Sequence, residues 1–392
     1  MAAPVEIRPA RSFKEVGAFI DLPYRLHAGT AWIPPLRIER RMFLSRNPRI
    51  GTYAKRMDFE LFCAFRGGEL VGRISAHIDK AYNDHHSARW GWFGFFEAIE
   101  DQEVTDALLA AAEGWLRERG MERMVGPADF TVNDESGIVI EGHDIAPMIR
   151  EPWHPRYYQP LMEQAGMEKV VDLFMYELEV ANRASLLPVL VEVGEAAVKE
   201  HGVTIRNMSR RRLRKDFDLF AEIYNKAWSK NWGFVPYDED DLDQYALEMQ
   251  LVYAREWFMV AEIDGEAVAI AITVPDINRV LKTMNGRLLP FGWLKYLRRK
   301  RVIDRVRVGF LGVKPEQQHT GVAAALYLNH YDVCEAHPII TGGEMGWILE
   351  TNEPMNRGME AMGGTIIKRY RMYERLLDEN AELQQLAGPA AS

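Results

Sequence analysis

Residues 313–326 read VKPEQQHTGVAAAL, a turn joining a strand to a helix. A β-like alternation, RVRVGFLGV (305–313), runs into it, and an Ala-rich helix leaves it after a Pro- and Gln-rich turn. The first N–H groups of a helix have no intrahelical partner. Together with the positive end of the helix dipole they form a natural place for a phosphate. Gly321 has no Cβ, which would let an anion approach the backbone closely. On these residues alone the junction is either a phosphate cradle or a turn.

Working outward, the chain repeats itself. FELFCAFRGGELVGRISAHI (59–78) and WFMVAEIDGEAVAIAITV (257–274) each read as a hairpin, the second turning at Asp264-Gly265. Each is followed by a strand (89–99 and 305–313) and then a helix (104–120 and 321–336). Each half closes with a helix ending in glycine and an aromatic strand, at 157–179 and 355–376. In the first helix Val104, Leu108, Ala111, Ala112 and Trp115 share one face, a core stripe. The expected division is 1–180, a connecting helix or linker over 181–202, a second half over 203–380, and a flexible tail at 381–392.

Strand, turn and helix with Gln318-His319-Thr320-Gly321-Val322-Ala323 at the junction resemble the GNAT acyltransferase superfamily, whose turn has the form [QR]-x-x-G-x-[GA]. Asn352, at the start of the helix after GWILET, is a second point of resemblance. The resemblance implies an α+β fold of two tandem GNAT-like domains, mixed central sheets flanked by helices, with the second carrying the motif. It implies acyl-CoA as donor substrate, with no permanently bound cofactor. The amides of residues 318–323 would hold the diphosphate of coenzyme A, and Leu311 and Val313 on the preceding strand would pair with pantetheine. The first half lacks the motif: Glu97, Glu100, Asp101 and Glu103 surround its helix start and would repel a diphosphate there.

Transfer of an acyl group to an amine needs a proton acceptor, stabilisation of the carbonyl oxygen and a leaving thiolate. Glu344 and Glu350, six apart in EMGWILE, would share one face of a strand and are the candidate bases. The resemblance implies a tyrosine acid where this chain has Met359, and Tyr327, Tyr370 and Tyr373 are the alternatives. Asn133, Asp134, Glu135, His143 and His154 form a polar cluster in the first half, without metal-ligand spacing; no metal is expected.

Composition narrows the partners. Forty-eight Lys and Arg against 57 Asp and Glu give a net charge of −9, which disfavours nucleic acid. The two cysteines, Cys63 and Cys334, form no metal or disulfide pattern. The N-terminus has no apolar signal core, and a cytoplasmic location is expected. An insertion at 278–305 places Leu288, Leu289, Phe291, Trp293, Leu294 and Leu297 beside Lys295 and Arg298–Arg301. Such a segment suits peripheral contact with the inner face of a membrane through 288–301, or a lid over an acyl chain.

With these features the chain resembles the bacterial tandem-GNAT proteins, among them bacterial ceramide synthases. That implies transfer of a long-chain acyl group to the amine of a sphingoid base or similar lipid amine. An N-acetyltransferase acting on a small-molecule or protein amine, an enzyme using aminoacyl-tRNA, and a non-catalytic acyl-CoA or lipid sensor are the competing functions.

Overall fold

A computed structural model describes residues 3–179, 186–229, 231–237, 239–378 and 381. The tail expected at 381–392 lies, apart from Ala381, outside the described residues, as do residues 181–185 of the expected linker.

The first half runs β1 (Val5–Pro9), α1 (Phe13–Leu26), α2 (Arg37–Phe43), β2 (Met57–Arg66), β3 (Glu69–Asp79), α3 (Lys80–His86), β4 (Trp90–Ala98), α4 (Gln102–Arg117), β5 (Arg123–Gly126), β6 (Ile138–Glu141), α5 (Tyr158–Gln164) and β7 (Glu168–Leu178). After α6 (Pro188–Lys199) the second half runs β8 (Thr204–Asn207), α7 (Leu213–Ala227), α8 (Glu239–Val252), β9 (Phe258–Ile263), β10 (Glu266–Pro275), α9 (Asn278–Met284), α10 (Gly292–Leu297), β11 (Arg305–Val313), α11 (Val322–Ala336), β12 (Gly342–Leu349), α12 (Glu353–Ala361) and β13 (Thr365–Leu376). The repeated hairpins are β2–β3 and β9–β10, with Asp264 and Gly265 both at positive φ in the second turn.

All described strands belong to one sheet, in the order β1-β2-β3-β4-β5-β13-β7-β12-β11-β10-β9-β8, with β6 beside β13. The closing strands are exchanged. β7 pairs antiparallel with β12 of the second half, and β13 pairs antiparallel with β5 of the first. The two then pair with each other along their length, from Thr365↔Glu177 to Glu374↔Glu168. Two tandem GNAT-like halves are thus joined by hydrogen bonds across a seam.

Alternation on the strands explains the layers, because successive residues point to opposite faces. β10 is nevertheless buried at nearly every position, covered by helices on both faces, and reads as an apolar run. α11 packs against its β-sheet with Val322, Leu326 and Tyr331 buried, and α6 lies across α11 on its outer side. The close approach of these helices needs a glycine: a Cβ on Gly194 would stand 2.6 Å from Leu328 Cδ1 and 3.1 Å from the Ala324 backbone. No described helix is long and apolar enough to cross a membrane.

Candidate active site

β11 pairs with β12 in parallel only over Arg305–Val308 against Gly342–Met345. Beyond that point β12 follows β7, with an extra residue between Met345 and Ile348. β11 stays with β10 up to Val313, with one unmatched residue, Gly309, between Val308 and Phe310. An extra residue of this kind leaves the ladder locally unpaired. The edge of Gly309–Val313 that faces β12 therefore has no strand partner. A cavity of about 620 Å³ opens in this gap, and Gly309–Val313 form one wall with Gly346–Leu349 opposite.

The helix following β11 begins at the same cavity. Gly321 precedes α11 at φ +73°, a left-handed conformation. No side chain caps the helix, and the first amides of a helix have no intrahelical partner. Gln318, Gly321 and Ala323 line the cavity. Of the other expected binding residues, His319 is exposed, Val322 is fully buried, and Thr320 turns its hydroxyl back to the Gln317 carbonyl at 2.7 Å. The need for glycine at 321 is a different one from that expected. Besides its positive φ, a Cβ there would meet Val193 Cγ1 at 2.7 Å and the Val193 carbonyl oxygen at 2.9 Å, because α6 passes over the turn. Leu190 and Val193 of α6 reach the cavity wall.

Leu311, Val313 and Asn352 also line the cavity. Asn352 is the N-cap of α12, its Oδ1 accepting from Met355 N at 3.3 Å. Away from α11 the walls become aromatic, with Phe220 and Tyr224 from α7, Tyr245 from α8, and Trp228, Phe234 and Tyr237 from the segment between those helices. The first half closes this end. Asn133 donates to the Tyr224 hydroxyl at 3.3 Å, and Arg150 lies over the Tyr245 ring at 5.5 Å. The sequence alone does not point to Arg150 or to the α7 and α8 rings. Their spacing reads as helix core, and only the fold shows that part of that core is hollow.

Neither glutamate expected to act as base lines this cavity. Strand β12 stops at Leu349, and its extra residue after Met345 breaks the alternation, so Glu344 and Glu350 do not share a strand face. Glu350 accepts from Asp172 N at 2.9 Å and pairs with Lys169 at 2.9 Å. Glu344 is only 2 % exposed and joins a buried cluster: Lys368 Nζ donates to its Oε2 at 2.6 Å and to Glu151 Oε2 at 2.7 Å. Burial and the neighbouring Glu151 charge push the Glu344 carboxyl up to about 8, against the pull of Lys368. Glu151 moves the opposite way, because Lys368 and Arg307 outweigh its burial. Arg307 links this cluster to the cavity, since it lines the cavity and its Nε lies 3.5 Å from Glu151 Oε1. Glu344 borders a separate void of about 30 Å³ behind Tyr327, and Tyr327 lines both spaces.

Among the tyrosines considered as acids, Tyr327 is the one in the cavity wall; its hydroxyl points at Met355 Sδ, 3.6 Å away. Tyr370 and Tyr373 are buried in β13 and reach Glu151 and Glu163, both at 3.4 Å. Met359 is fully buried. The polar cluster of the first half disperses. Asp134 accepts from Tyr53 and Thr131 hydroxyls, Glu135 pairs with Arg40, and His154 Nδ1 accepts from Val139 N, leaving Asn133 at the cavity. No residue of the 278–305 insertion lines the cavity.

Comparison with known proteins agrees with this architecture. The chain is 34% identical over 376 residues to protein YghO of Escherichia coli K12, covering 94% of this chain and 95% of that protein. It is 34% identical over 397 residues to the bacterial ceramide synthase of Caulobacter vibrioides, covering 96% and 98%. Among solved structures, a tandem GNAT protein from the clavulanic acid biosynthesis pathway aligns with a TM-score of 0.56 at 12% identity, covering 96% of this chain and all of that one. A GCN5-related N-acetyltransferase from Sphaerobacter thermophilus aligns at 0.54 and 12%, covering 97% and 98%. No family model matches the sequence. With exchanged closing strands, one open strand gap and full-length relatives at this identity, the chain has a tandem GNAT fold and belongs to the family of YghO and the bacterial ceramide synthase.

Proposed function

We propose that this acyltransferase moves a long-chain fatty acyl group from acyl-CoA to the amine of a sphingoid base or a similar lipid amine. The observation that carries the reading is the single cavity that joins the uncapped start of α11, the unpaired edge of β11 and an aromatic chamber. The amides of residues 318–323 would receive the diphosphate. The free edge at Leu311 and Val313 would pair with the pantetheine arm, as a strand would. Asn352 would hold the far wall through its helix cap. The chamber of Phe220, Tyr224, Trp228, Phe234 and Tyr237 suits an alkyl chain better than an acetyl group, because apolar surface gains about 25 cal/mol per Å² on leaving water. The ceramide synthase relative points to the same acceptor class.

The backbone at the unmatched Gly309 is the best-placed group to meet the thioester carbonyl as negative charge develops on its oxygen. Nitrogen attack forms the amide bond, the carbon–sulfur bond breaks with its electron pair going to the thiolate, and the proton shed by the attacking nitrogen passes to that thiolate, which leaves as the free thiol. Since Glu344 and Glu350 lie outside the cavity, the acceptor enters this scheme as the free amine.

Thiol release by purified protein, measured with palmitoyl-CoA and sphinganine, tests the proposal. Turnover with acetyl-CoA and a small amine at equal or higher kcat/KM would instead make it an N-acetyltransferase. Tight acyl-CoA binding without thiol release from any pair would make it a sensor.

A further inference from the structure

Two segments distant in sequence meet on the surface and share an unusual composition. Residues 285–302 (NGRLLPFGWLKYLRRKRV) carry six basic and no acidic residues, in a chain of net charge −9. Here Leu289 is 72% exposed, Phe291 71% and Leu297 63%, with Trp293 and Leu294 also exposed. None of Arg287, Lys295, Arg298, Arg299, Lys300 and Arg301 has a carboxylate partner among the described residues, although Lys295 reaches the Thr283 carbonyl and Arg299 lies over Tyr296.

The second segment is α2, which buries none of its own residues and exposes Ile38 (56%) and Met42 (50%) beside Arg37 and Arg41. It abuts the turn after α9. Arg37 N donates to the Gly286 carbonyl at 3.2 Å, and its Nη1 donates to the Asn285 carbonyl at 3.3 Å. Gly286 allows this contact, since a Cβ there would stand 2.4 Å from Tyr24 and 2.8 Å from Arg37. The approach sets an element of the first half beside the insertion of the second.

Isolated exposed apolar side chains need no explanation, but a group of them beside six cations without a carboxylate partner does, even though on α2 Arg37 pairs with Asp21 at 2.5 Å and Glu39 is exposed. We propose that α2 and residues 285–302 form one docking face for an anionic lipid bilayer. Leu289, Phe291 and Leu297 enter the acyl boundary, Ile38 and Met42 extend the contact, and the cations meet lipid phosphates. Of the surfaces that could cover such a face, a bilayer fits both properties at once. It offers apolar depth under a sheet of negative charge. This face is separate from the acyl-CoA cavity, and its docking is independent of which amine accepts the acyl group.

Sedimentation of the full-length protein with vesicles of phosphatidylcholine alone, or of phosphatidylcholine with phosphatidylglycerol added to make the surface negative, tests it. Binding to the anionic vesicles, and its decline in high salt, is the expected result. Lys300→Glu with Arg301→Glu should lower partitioning by more than tenfold, at roughly fivefold for each lost cation. Leu289→Gln with Phe291→Gln should lower it at unchanged salt dependence, and Ile38→Gln with Met42→Gln should lower it by a smaller factor. All these positions are exposed, so an unchanged Tm and unchanged short-chain acyl-CoA binding show that the fold is intact. Equal binding to both vesicle types, no binding to either, or retention by RNA in place of lipid overturns the proposal. Insensitivity to the α2 pair overturns the two-segment face.

Discussion

The two halves repeat one topology, yet at the three corresponding places one is closed by its own side chains and the other is open. At the helix start, Asp101 caps α4 by accepting from Val104 N at 3.2 Å, and Arg66 binds both Asp101 and Glu103. α11 has no side-chain cap. At the strand bulge, Asp129 Oδ1 accepts from Phe95 N at 2.7 Å, whereas Gly309 borders the cavity. In the strand gap, β4 leaves β5 after Trp92, and tyrosines take up the freed edge. Ala98 N donates to the Tyr158 hydroxyl at 2.9 Å, and the Tyr157 hydroxyl donates to Ala98 O at 3.0 Å. The same backbone groups that a ligand would satisfy in one half are satisfied internally in the other, as buried polar groups require. A site of this kind is lost by filling as well as by deleting.

Moving features between the halves tests that contrast. The largest effect is expected for Gly321→Asp, which gives α11 the cap that α4 has. The new side chain must adopt φ +73° and displace Val193, and its charge repels a diphosphate. Strain of about 1–3 kcal/mol adds to that repulsion, so titration calorimetry should show acyl-CoA affinity falling by about a hundredfold or more, with a lower Tm.

The reverse change, Asp101→Ala, should cost about 1 kcal/mol of stability in urea and leave acyl-CoA affinity unchanged. If it weakens acyl-CoA binding, the first half takes part in holding the donor.

Asp129 gives a pH signature. Burial and the Glu135 charge raise its carboxyl from 3.8 to about 7 in the folded protein. A raised folded value means that its contribution is complete below pH 3.8 and is lost as pH climbs through 7. Stability of Asp129→Asn, followed by Tm from pH 4 to 8, should therefore fall less with rising pH than that of the parent.

The smallest effect concerns the two glutamates. Glu344→Gln and Glu350→Gln should each change kcat by less than about threefold, a difference under 1 kcal/mol in the barrier. A hundredfold loss in a well-folded Glu344→Gln would return the base to that residue and require a proton path past Tyr327.

Much of this was legible in the residues. Hairpins, strands and helices follow from alternation, glycine turns and apolar spacing, and the acidic residues 97–103 already set the first helix start apart from the second. Asn352 marks a helix start in the sequence, and it caps α12. What the residues hid depends on long-range pairing. The extra residue in β12 that separates Glu344 from Glu350 is set by the register with β7, some 170 positions earlier in the chain. The demand at Gly321 comes from α6, a helix whose own sequence says nothing of where it will lie. Nothing in the neighbours Ile367 and Arg369 marks Lys368 as buried, and its two carboxylates come from other elements.

The exchanged strands bear on how such a chain is made. During synthesis the ribosome releases β5 long before β13, so the first half emerges with an unfilled edge that a strand made much later covers. Until residues 365–376 appear, that edge is open to pairing with any passing strand, a recognised route to aggregation. A gene cut near residue 200 should give two fragments that are insoluble alone and soluble when produced together.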